Sequence, residues 1–259
     1  MKNHQKIILK LSCTFIFLGL GTSLFAQLPE EIQWKHLVKT YNADSTEMVL
    51  SLNDKLLEGQ YKIPLDESSF ALYTIKKGLI TGEAFWYSQG GRMECKLYYK
   101  KGVCNGLKEN YDSEDKVWLR QEYKDGKQHG TSEMYTGGKI VNKSAYKAGK
   151  KDCLSLTYSD DQLTTEANYE NDKRNGIYRV YNGGKIVTEN NYKDDLQNGL
   201  SVSYLSGKKS MDSTFENGKR HGVSHMYKPD GSILFESYYL LGEKVSKDAF
   251  EKYQQSDKK

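Results

Sequence analysis

Hydrophobic and polar residues alternate with a period of two over most of the chain, in short runs separated by glycine, aspartate and asparagine. The stretch YKDGKQHGTSEMY at 123–135 is an example: one run ends in Lys-Asp-Gly and the next begins at once. Such alternation is typical of β-strands, and turn residues at roughly ten-residue intervals predict a β-meander. No apolar period of 3.6 residues runs through this region, so the pattern excludes helices there.

The alternating pattern is also a repeat, because close relatives of this stretch recur at 169–181 and 215–227. Successive copies start 23 or 24 residues apart, and a fixed period of this size indicates a repeat architecture. We therefore predict an all-β fold, an elongated antiparallel β-meander or solenoid of hairpin repeats over 51–245. With the first aromatic or apolar residue of each copy called position x, the copies start at Ile75, Tyr99, Tyr123, Tyr146, Tyr169, Tyr192, Phe215 and, truncated, Tyr239.

Three positions within the unit carry most of the pattern. Position x+3 is mostly glycine, x+7 is glycine in all complete copies except one, which has Cys153, and x+12 is always tyrosine. We expect a three-residue loop with a left-handed residue at x+3, which would put x, x+8 and x+12 on one face of the sheet. In that geometry, Gly126 at x+3 should tolerate substitution less well than Gly130 at x+7. The tyrosines are Tyr87, Tyr111, Tyr135, Tyr158, Tyr181, Tyr204 and Tyr227.

Both ends of a repeat sheet need covering, because each unit contacts only its neighbours. The C-terminal tail, 246–259, is predicted to form a short helix with Ser246 as its N-cap and with Phe250 and Tyr253 facing the last strands. At the other end, we predict that 27–50 is a capping segment. Its apolar side chains are Ile32, Trp34, Leu37 and Val38.

The first 26 residues differ from the rest and are typical of a secretory signal peptide. Lysines precede or open an apolar run, IILKLSCTFIFLGL, and small residues lead to Ala26. We expect export to the periplasm or cell surface, cleavage near Ala26, and no transmembrane segment in the mature chain.

Removing this leader changes the charge of the protein. The formal charge of +4 falls to about +1, because Lys2, Lys6 and Lys10 leave with it. A nearly neutral chain has no electrostatic footprint for nucleic acid, so that class of partner is excluded.

Charge is nevertheless ordered along position x−3, where three basic residues are followed by four acidic ones. We predict that this row lies opposite the glycines at x+7 and forms a shallow groove, positive in its first half and negative in its second. Such a groove would orient a partner of opposite polarity. The alternative is a solvated face whose charges are about 10 Å apart and do not interact. The row is Lys96, Arg120, Lys143, Glu166, Glu189, Asp212 and Glu236.

No catalytic, cofactor or metal site is predicted. His129 and His221 both occupy x+6, four repeats apart, where other copies have turn-forming residues. Cys95 and Cys104 are expected on opposite faces of one hairpin and therefore to be free thiols. No nucleophile and base share a motif, so the sequence offers no enzyme.

The recurring Tyr-x-x-Gly-x-x-x-Gly-x-x-x-x-Tyr pattern resembles the bacterial MORN-repeat variants, often labelled a YwqK-type antitoxin family. The resemblance covers about 52–245. It implies an elongated antiparallel sheet that serves as a binding or scaffolding surface for proteins or lipids, and it implies no reaction.

Three functions remain open. The first is an exported, non-enzymatic repeat scaffold that binds another cell-envelope protein along its sheet. The second is a module that binds glycan or lipid headgroups through the tyrosines. The third is an immunity or antitoxin-type protein acting outside the cytoplasm.

The leader gives a direct prediction. The protein recovered from envelope fractions should begin at Gln27, and its intact mass should lack residues 1–26. Mass spectrometry of the purified protein measures this, and a mass that retains Met1 would contradict export with cleavage.

Overall fold

The computed structural model describes residues 29–41, 48–88 and 90–256, so the predicted leader lies outside the described residues. A short 3-10 helix, Trp34–His36, lies near the start, and helix α1, Lys247–Ser256, ends the described chain. All other regular structure is β. The strands are β1 Glu30–Glu31, β2 Val38–Tyr41, β3 Met48–Leu52, β4 Lys55–Leu56, β5 Gly59–Pro64, β6 Ser69–Lys76, β7 Leu79–Ile80, β8 Gly82–Ser88, β9 Met93–Lys100, β10 Val103–Tyr111, β11 Val117–Lys124, β12 Lys127–Thr136, β13 Lys139–Lys147, β14 Lys150–Ser159, β15 Gln162–Glu170, β16 Lys173–Asn182, β17 Lys185–Lys193, β18 Leu196–Leu205, β19 Lys208–Glu216, β20 Lys219–Tyr227, β21 Ile233–Leu240 and β22 Glu243–Val245.

Nearly all strands belong to one antiparallel meander. From β8 to β22, each strand pairs with the next one along the chain. At the N-terminal end, β6 pairs with β5, β7 and β8, and β1 joins β5 as a parallel strand. The described residues form this 19-stranded sheet and a separate three-stranded sheet, β2–β4. The prediction of an elongated all-β hairpin repeat with a short C-terminal helix is confirmed.

A conventional apolar core occupies only the N-terminal end of the sheet. Leu50, Ile63 and Ile75 are completely buried there, and Ile32 and Leu37 from the predicted capping segment join them. Trp34 packs against the same cluster, whereas Val38 is 52% exposed and lies outside it. The first 70 or so described residues therefore supply the large apolar side chains that a globular domain would have.

Beyond β10, small polar side chains replace this core along one face, which we call the serine face. Positions x−2 and x+9 pair across neighbouring strands on this face. In the two repeats where both are serine, the hydroxyls bond to each other: Ser144 Oγ to Ser155 Oγ at 2.8 Å and Ser213 Oγ to Ser224 Oγ at 2.7 Å. Each hydroxyl is thus satisfied without water, as a buried polar group requires. The buried members of this column are Ser132, Ser144, Ser155, Ala167, Ser213, Ser224 and Ser237.

The hairpin loops are shorter than the sequence predicted. Lys124 pairs with Lys127, so only Asp125 and Gly126 form the turn, with φ angles of 50° and 76°. Two consecutive positive φ angles define a type I′ turn, the two-residue turn whose twist suits a hairpin. The left-handed residue at x+3 is correct, but the three-residue loop is wrong.

The extra residues lie instead in the outgoing strand, at x+7. Gln121 pairs with Ser132 and Tyr123 pairs with Gln128. An advance of two residues on β11 therefore corresponds to four residues on β12. Gly130 lies in this bulge with φ 93°, and Cys153 occupies the same position in its repeat with φ 69°. A positive φ is costly for any residue with a Cβ, which explains glycine at x+7 in the other copies.

The two-residue turn corrects the predicted assignment of faces, because it is one residue shorter than expected. The bulge adds two residues and so leaves the alternation of faces unchanged. Tyr146, at position x, pairs with Gly130 on the serine face, whereas Glu133, at x+10, pairs with Lys143 on the opposite face. Tyr135, at x+12, bonds to Glu133, so it also lies on that opposite face. The aromatic residues at x and x+12 therefore do not form one ladder.

Helix α1 covers part of the last strands. Ser246 Oγ accepts a hydrogen bond from the amide of Ala249 at 3.2 Å, which is the predicted N-cap. Phe250 is buried against Tyr238, with ring centroids 5.4 Å apart, and Tyr253 meets the ring of His221 at 5.8 Å. Within the described ranges, no helix has the length and apolar character needed to span a membrane.

The two glycine positions should respond differently to alanine. At Gly126 a Cβ would meet only ordinary contacts, so Gly126→Ala should cost about 1–2 kcal/mol from backbone strain alone. At Gly130 it would lie 1.9 Å from Oε2 of Glu122, the atom that accepts a 2.8 Å hydrogen bond from Thr131 N. Gly130→Ala should therefore cost about 1 kcal/mol more, the reverse of the order expected from the sequence. Chemical denaturation measures both.

Two further variants control for this reasoning. Glu122→Ala should cost less in the Gly130→Ala background than in the wild type, because the obstructing carboxylate has already been displaced. Cys153→Gly should raise the free energy of unfolding by about 1 kcal/mol, whereas Cys153→Ala should not. A Gly130→Ala variant as stable as Gly126→Ala would contradict the bulge at x+7.

Candidate binding surface

The seven charged residues at x−3 lie on the face opposite the serine face, which we call the charged face. They do not pair with the glycines at x+7, so that prediction is wrong. Each pairs instead with x+10 residues on the neighbouring strands, as Arg120 does with Glu109 and Glu133. The result is a continuous ladder across 13 strands, which we call the charge ladder. Its rungs are Lys96, Glu109, Arg120, Glu133, Lys143, Leu156, Glu166, Arg179, Glu189, Val202, Asp212, His225 and Glu236.

Most rungs of the ladder form ion pairs with their neighbours. Arg120 contacts Glu109 at 2.9 Å, and Lys143 contacts Glu133 at 3.0 Å. Hydrogen bonds from Tyr135 and Lys143 lower the pKa of Glu133 further than burial raises it. Opposite-charge pairs directly across strands stabilise a sheet by roughly 0.2–1 kcal/mol each. These charges are thus neither solvated singly nor free to present a groove of one sign.

The pairing also weakens the predicted polarity along the sheet. In the first half, the positive charges of Lys96, Arg120 and Lys143 are partly neutralised by Glu109 and Glu133 at x+10. In the second half, four carboxylates face one arginine, Arg179, and one histidine, His225. Arg179 bridges its two glutamate neighbours, Nη1 to Glu166 at 3.3 Å and Nε to Glu189 at 2.6 Å. A surplus of negative charge therefore remains only in the second half.

Asp212 is the most enclosed charge of the ladder, with 6% of its surface exposed. Its carboxylate accepts hydrogen bonds from Lys209 Nζ at 2.5 Å and from Tyr227 Oη at 2.8 Å, and lies 2.7 Å from His225 Nδ1. Burial opposes its ionisation, but these hydrogen bonds more than compensate and lower the pKa of Asp212 to about 2. The carboxylate is therefore ionised and fully occupied by partners at neutral pH.

The tyrosines at x+12 support the ladder from one side. Four of their hydroxyls donate to ladder carboxylates: Tyr227 to Asp212 at 2.8 Å, Tyr135 to Glu133 at 2.6 Å, Tyr181 to Glu166 at 2.7 Å and Tyr111 to Glu109 at 3.1 Å. Burial and the adjacent Glu109 raise the pKa of Tyr111 to about 12. Because these hydroxyls already have partners, the row is better suited to holding the ladder in place than to binding sugars.

A row of residues that are apolar except for Thr131 runs along the other side of the ladder, at x+8. Every second strand contributes one residue, and each lies two residues along its strand from a ladder rung. Leu107, Leu154 and Leu200 are 41%, 38% and 45% exposed, and the intervening members are half-buried. We call this the leucine row: Leu107, Thr131, Leu154, Ile177, Leu200 and Val223.

On the serine face, three of the aromatic residues at x, Tyr169, Tyr192 and Tyr239, pack under basic residues at x+5 of the preceding repeat. Lys151 Nζ lies 4.7 Å from the ring centre of Tyr169, and Arg174 Cζ lies 4.1 Å from that of Tyr192. Cation–π contacts of this kind contribute roughly 0.5–1 kcal/mol at exposed sites. These rings are therefore occupied by the protein itself.

The histidines at x+6 have a role in the turns. Nδ1 of His129 accepts from the amide of Ala148 at 3.4 Å, and Nδ1 of His221 accepts from the amide of Leu241 at 3.3 Å, each in the next hairpin turn. In the part of the chain that the structure describes, no cluster of His, Cys, Asp and Glu side chains is arranged to hold a metal ion.

The three cysteines of the described residues, Cys95, Cys104 and Cys153, are free thiols. Cys95 and Cys104 lie in the same apolar cluster, so the prediction that they occupy opposite faces is wrong. Burial raises the pKa of Cys95 to about 11, which leaves it unreactive. Cys153 is exposed, and its pKa is raised by a hydrogen bond to Asp152.

No family model matches this chain, and no curated protein matches it. The likeness to MORN repeats therefore remains a resemblance in sequence pattern. The partner-binding role of the seven x−3 residues likewise remains a prediction.

The sequence contained a signal for the ladder that face assignment obscured. Positions x−3 and x+10 carry opposite formal charges in three repeats: Lys96 and Glu109, Arg120 and Glu133, and Glu166 and Arg179. Complementary charges at two positions of a repeat indicate cross-strand neighbours. The two-residue turn places both positions on one face, and the bulge at x+7 brings them directly opposite each other.

The low pKa of Asp212 gives a prediction about acid stability. A carboxylate whose pKa is lower in the folded than in the unfolded protein stabilises the fold above about pH 4, and this contribution disappears as the pH falls to about 2. The difference in unfolding free energy between wild type and Asp212→Asn should be about 2 kcal/mol at pH 6 and should shrink toward pH 2. Denaturant titrations across this range measure it.

Asp161→Asn is the matched control, because Asp161 forms an exposed ion pair with Lys139. It should change stability by less than about 1 kcal/mol at any pH in the range. A difference for Asp212→Asn that stays constant from pH 6 to pH 2 would show that its carboxylate is not held by these hydrogen bonds.

Proposed function

We propose that the protein is an exported, non-enzymatic repeat scaffold that binds another cell-envelope protein along its charged face. The observation that carries this proposal is the leucine row. Single exposed apolar residues are normal on a protein surface. Leu107, Leu154 and Leu200 are different because they recur in line at equal intervals, each close to 40% exposed.

The neighbouring charge ladder favours the same face. Desolvating unpaired charges opposes binding, whereas the ladder charges are already paired with each other. A partner that covers the leucine row would therefore bury apolar surface beside a polar strip whose hydrogen bonds are largely complete. Protein interfaces commonly have this arrangement of an apolar centre and a polar rim.

Export is the second part of the proposal, and it rests on the leader at 1–26. The partner is then another protein of the periplasm or cell surface. The paired tyrosine hydroxyls give no support to a glycan-binding alternative.

The leucine row can be tested by a triple substitution. Leu107→Asp, Leu154→Asp and Leu200→Asp together should reduce capture of the partner from envelope extract at least tenfold, because each places a charge where apolar surface would be buried. Affinity purification with quantitative mass spectrometry measures this loss.

Met134→Asp, Met226→Asp and Phe235→Asp together form the matched control. All three residues lie on the serine face and are 44–53% exposed. This variant should capture the partner as the wild type does, and both triple variants should stay folded by circular dichroism. Equal capture by the two variants would rule out the leucine row as the binding surface.

A further inference from the structure

We propose that the occupant of the leucine row is an amphipathic α-helix with a heptad apolar repeat, lying along the sheet and across its strands. This inference rests on the proposed scaffold function and specifies the partner's chemistry. It comes from the spacing of the row, the shape of its surface and the charge beside it.

The spacing of the row matches a heptad. One member lies on every second strand, and neighbouring strands are about 4.8 Å apart, so the repeat is roughly 10 Å. Seven residues of an α-helix rise about 10.5 Å. The heptad rise of the helix is slightly longer than the spacing of the row. This difference suits a twisted sheet, because a helix that lies above the sheet and off its twist axis follows a longer path than the line through the strands.

The surface between the leucines can receive side chains from such a helix. The intervening strands present x−1 residues at this level: Glu122, Ala145, Asn168, Asn191 and Thr214. Glu122 turns its carboxylate to the amide of Thr131, and the other four are small or amide side chains. The two asparagines turn their amides to the backbone, donating to the carbonyls of Ile177 at 3.1 Å and Leu200 at 2.8 Å. Raised apolar residues thus alternate with lower ones, the relief that heptad side chains fill in helix packing.

The charge of the ladder beside the row determines which charge the partner helix should carry on that flank. The ladder lies two residues along each strand from the row, about 7 Å away. An α-helix with side chains is about 10 Å wide, so its flank reaches the ladder. The second half of the ladder has surplus carboxylates, Glu236 among them at 39% exposure. We therefore infer that the helix carries Lys or Arg along this flank, over the part that meets Leu200 and Val223.

Other extended partners fit the surface less well. A polyproline II segment rises about 9.3 Å in three residues, close to the same repeat. Such segments dock in grooves lined by aromatic residues, whereas no aromatic residue lies at the level of the row between Leu107 and Leu200. A β-strand would need an open sheet edge rather than a face.

Site-specific photocrosslinking tests the inference on the intact protein. A benzoylphenylalanine residue is placed in turn at Leu107, Leu154 and Leu200, and partner peptides crosslinked in the envelope are identified by mass spectrometry. Each adjacent pair of sites spans four strand spacings, about 19 Å. For a helix, the crosslinked partner residues should fall in one segment, in order, about 13 residues apart. The flank of that segment nearest the Leu200 contact should be rich in Lys and Arg.

The other outcomes separate this inference from the scaffold function. Intervals of about six residues would indicate an extended or polyproline partner, and would overturn the helix while leaving the scaffold in place. Crosslinks scattered over distant parts of a partner, or confined to a second copy of this chain, would also overturn it. An acidic flank near Leu200 would overturn the charge assignment. If none of the three sites gives more crosslinks than the same probe at Met134 and Met226, the proposed function itself fails.

Discussion

Side-chain pairing between adjacent strands is the interaction on which most of this sheet depends. Beyond β10 the described chain has few large buried apolar residues, so the hydrophobic effect cannot stabilise it as it does a two-layer domain. Serine hydroxyls pair on one face, as between Ser213 and Ser224, and opposite charges pair on the other, as between Arg179 and Glu189. Each contact is weak, but it is repeated on nearly every strand, which is how a one-dimensional repeat accumulates stability.

The bulge at x+7 makes both kinds of pairing compatible in one repeat. It inserts extra residues after each type I′ turn, so that x+9 meets x−2 on the serine face while x+10 meets x−3 on the charged face. Gly130 and its equivalents adopt the positive φ angles that this requires. A change at x+7 would therefore disturb a turn, a serine pair and an ion pair together, since all three depend on its register.

The charged face shows how such a sheet can remain available to a partner. Ion pairs and tyrosine hydroxyls occupy the ladder, and cation–π contacts cover three of the rings at x on the opposite face. The leucine row is the regular feature that these contacts leave exposed, at Leu107, Leu154 and Leu200. On this surface the polar groups are already paired within the protein, whereas the apolar side chains stay exposed. Such a surface favours binding to an apolar stripe on a partner.

The sequence by itself determined the repeat, its period, the β class, the left-handed residue at x+3 and the N-cap at Ser246, because alternation, turn residues and capping are local properties. The tertiary structure decided which positions share a face. The turn after x has two residues rather than three, which moves x+8, x+10 and x+12 to the face opposite x. The bulge at x+7 then adds two residues, which keeps the faces but changes which residues pair. The ladder of Lys96, Arg120 and their partners followed from that register, since a slip of one residue moves every side chain to the other face.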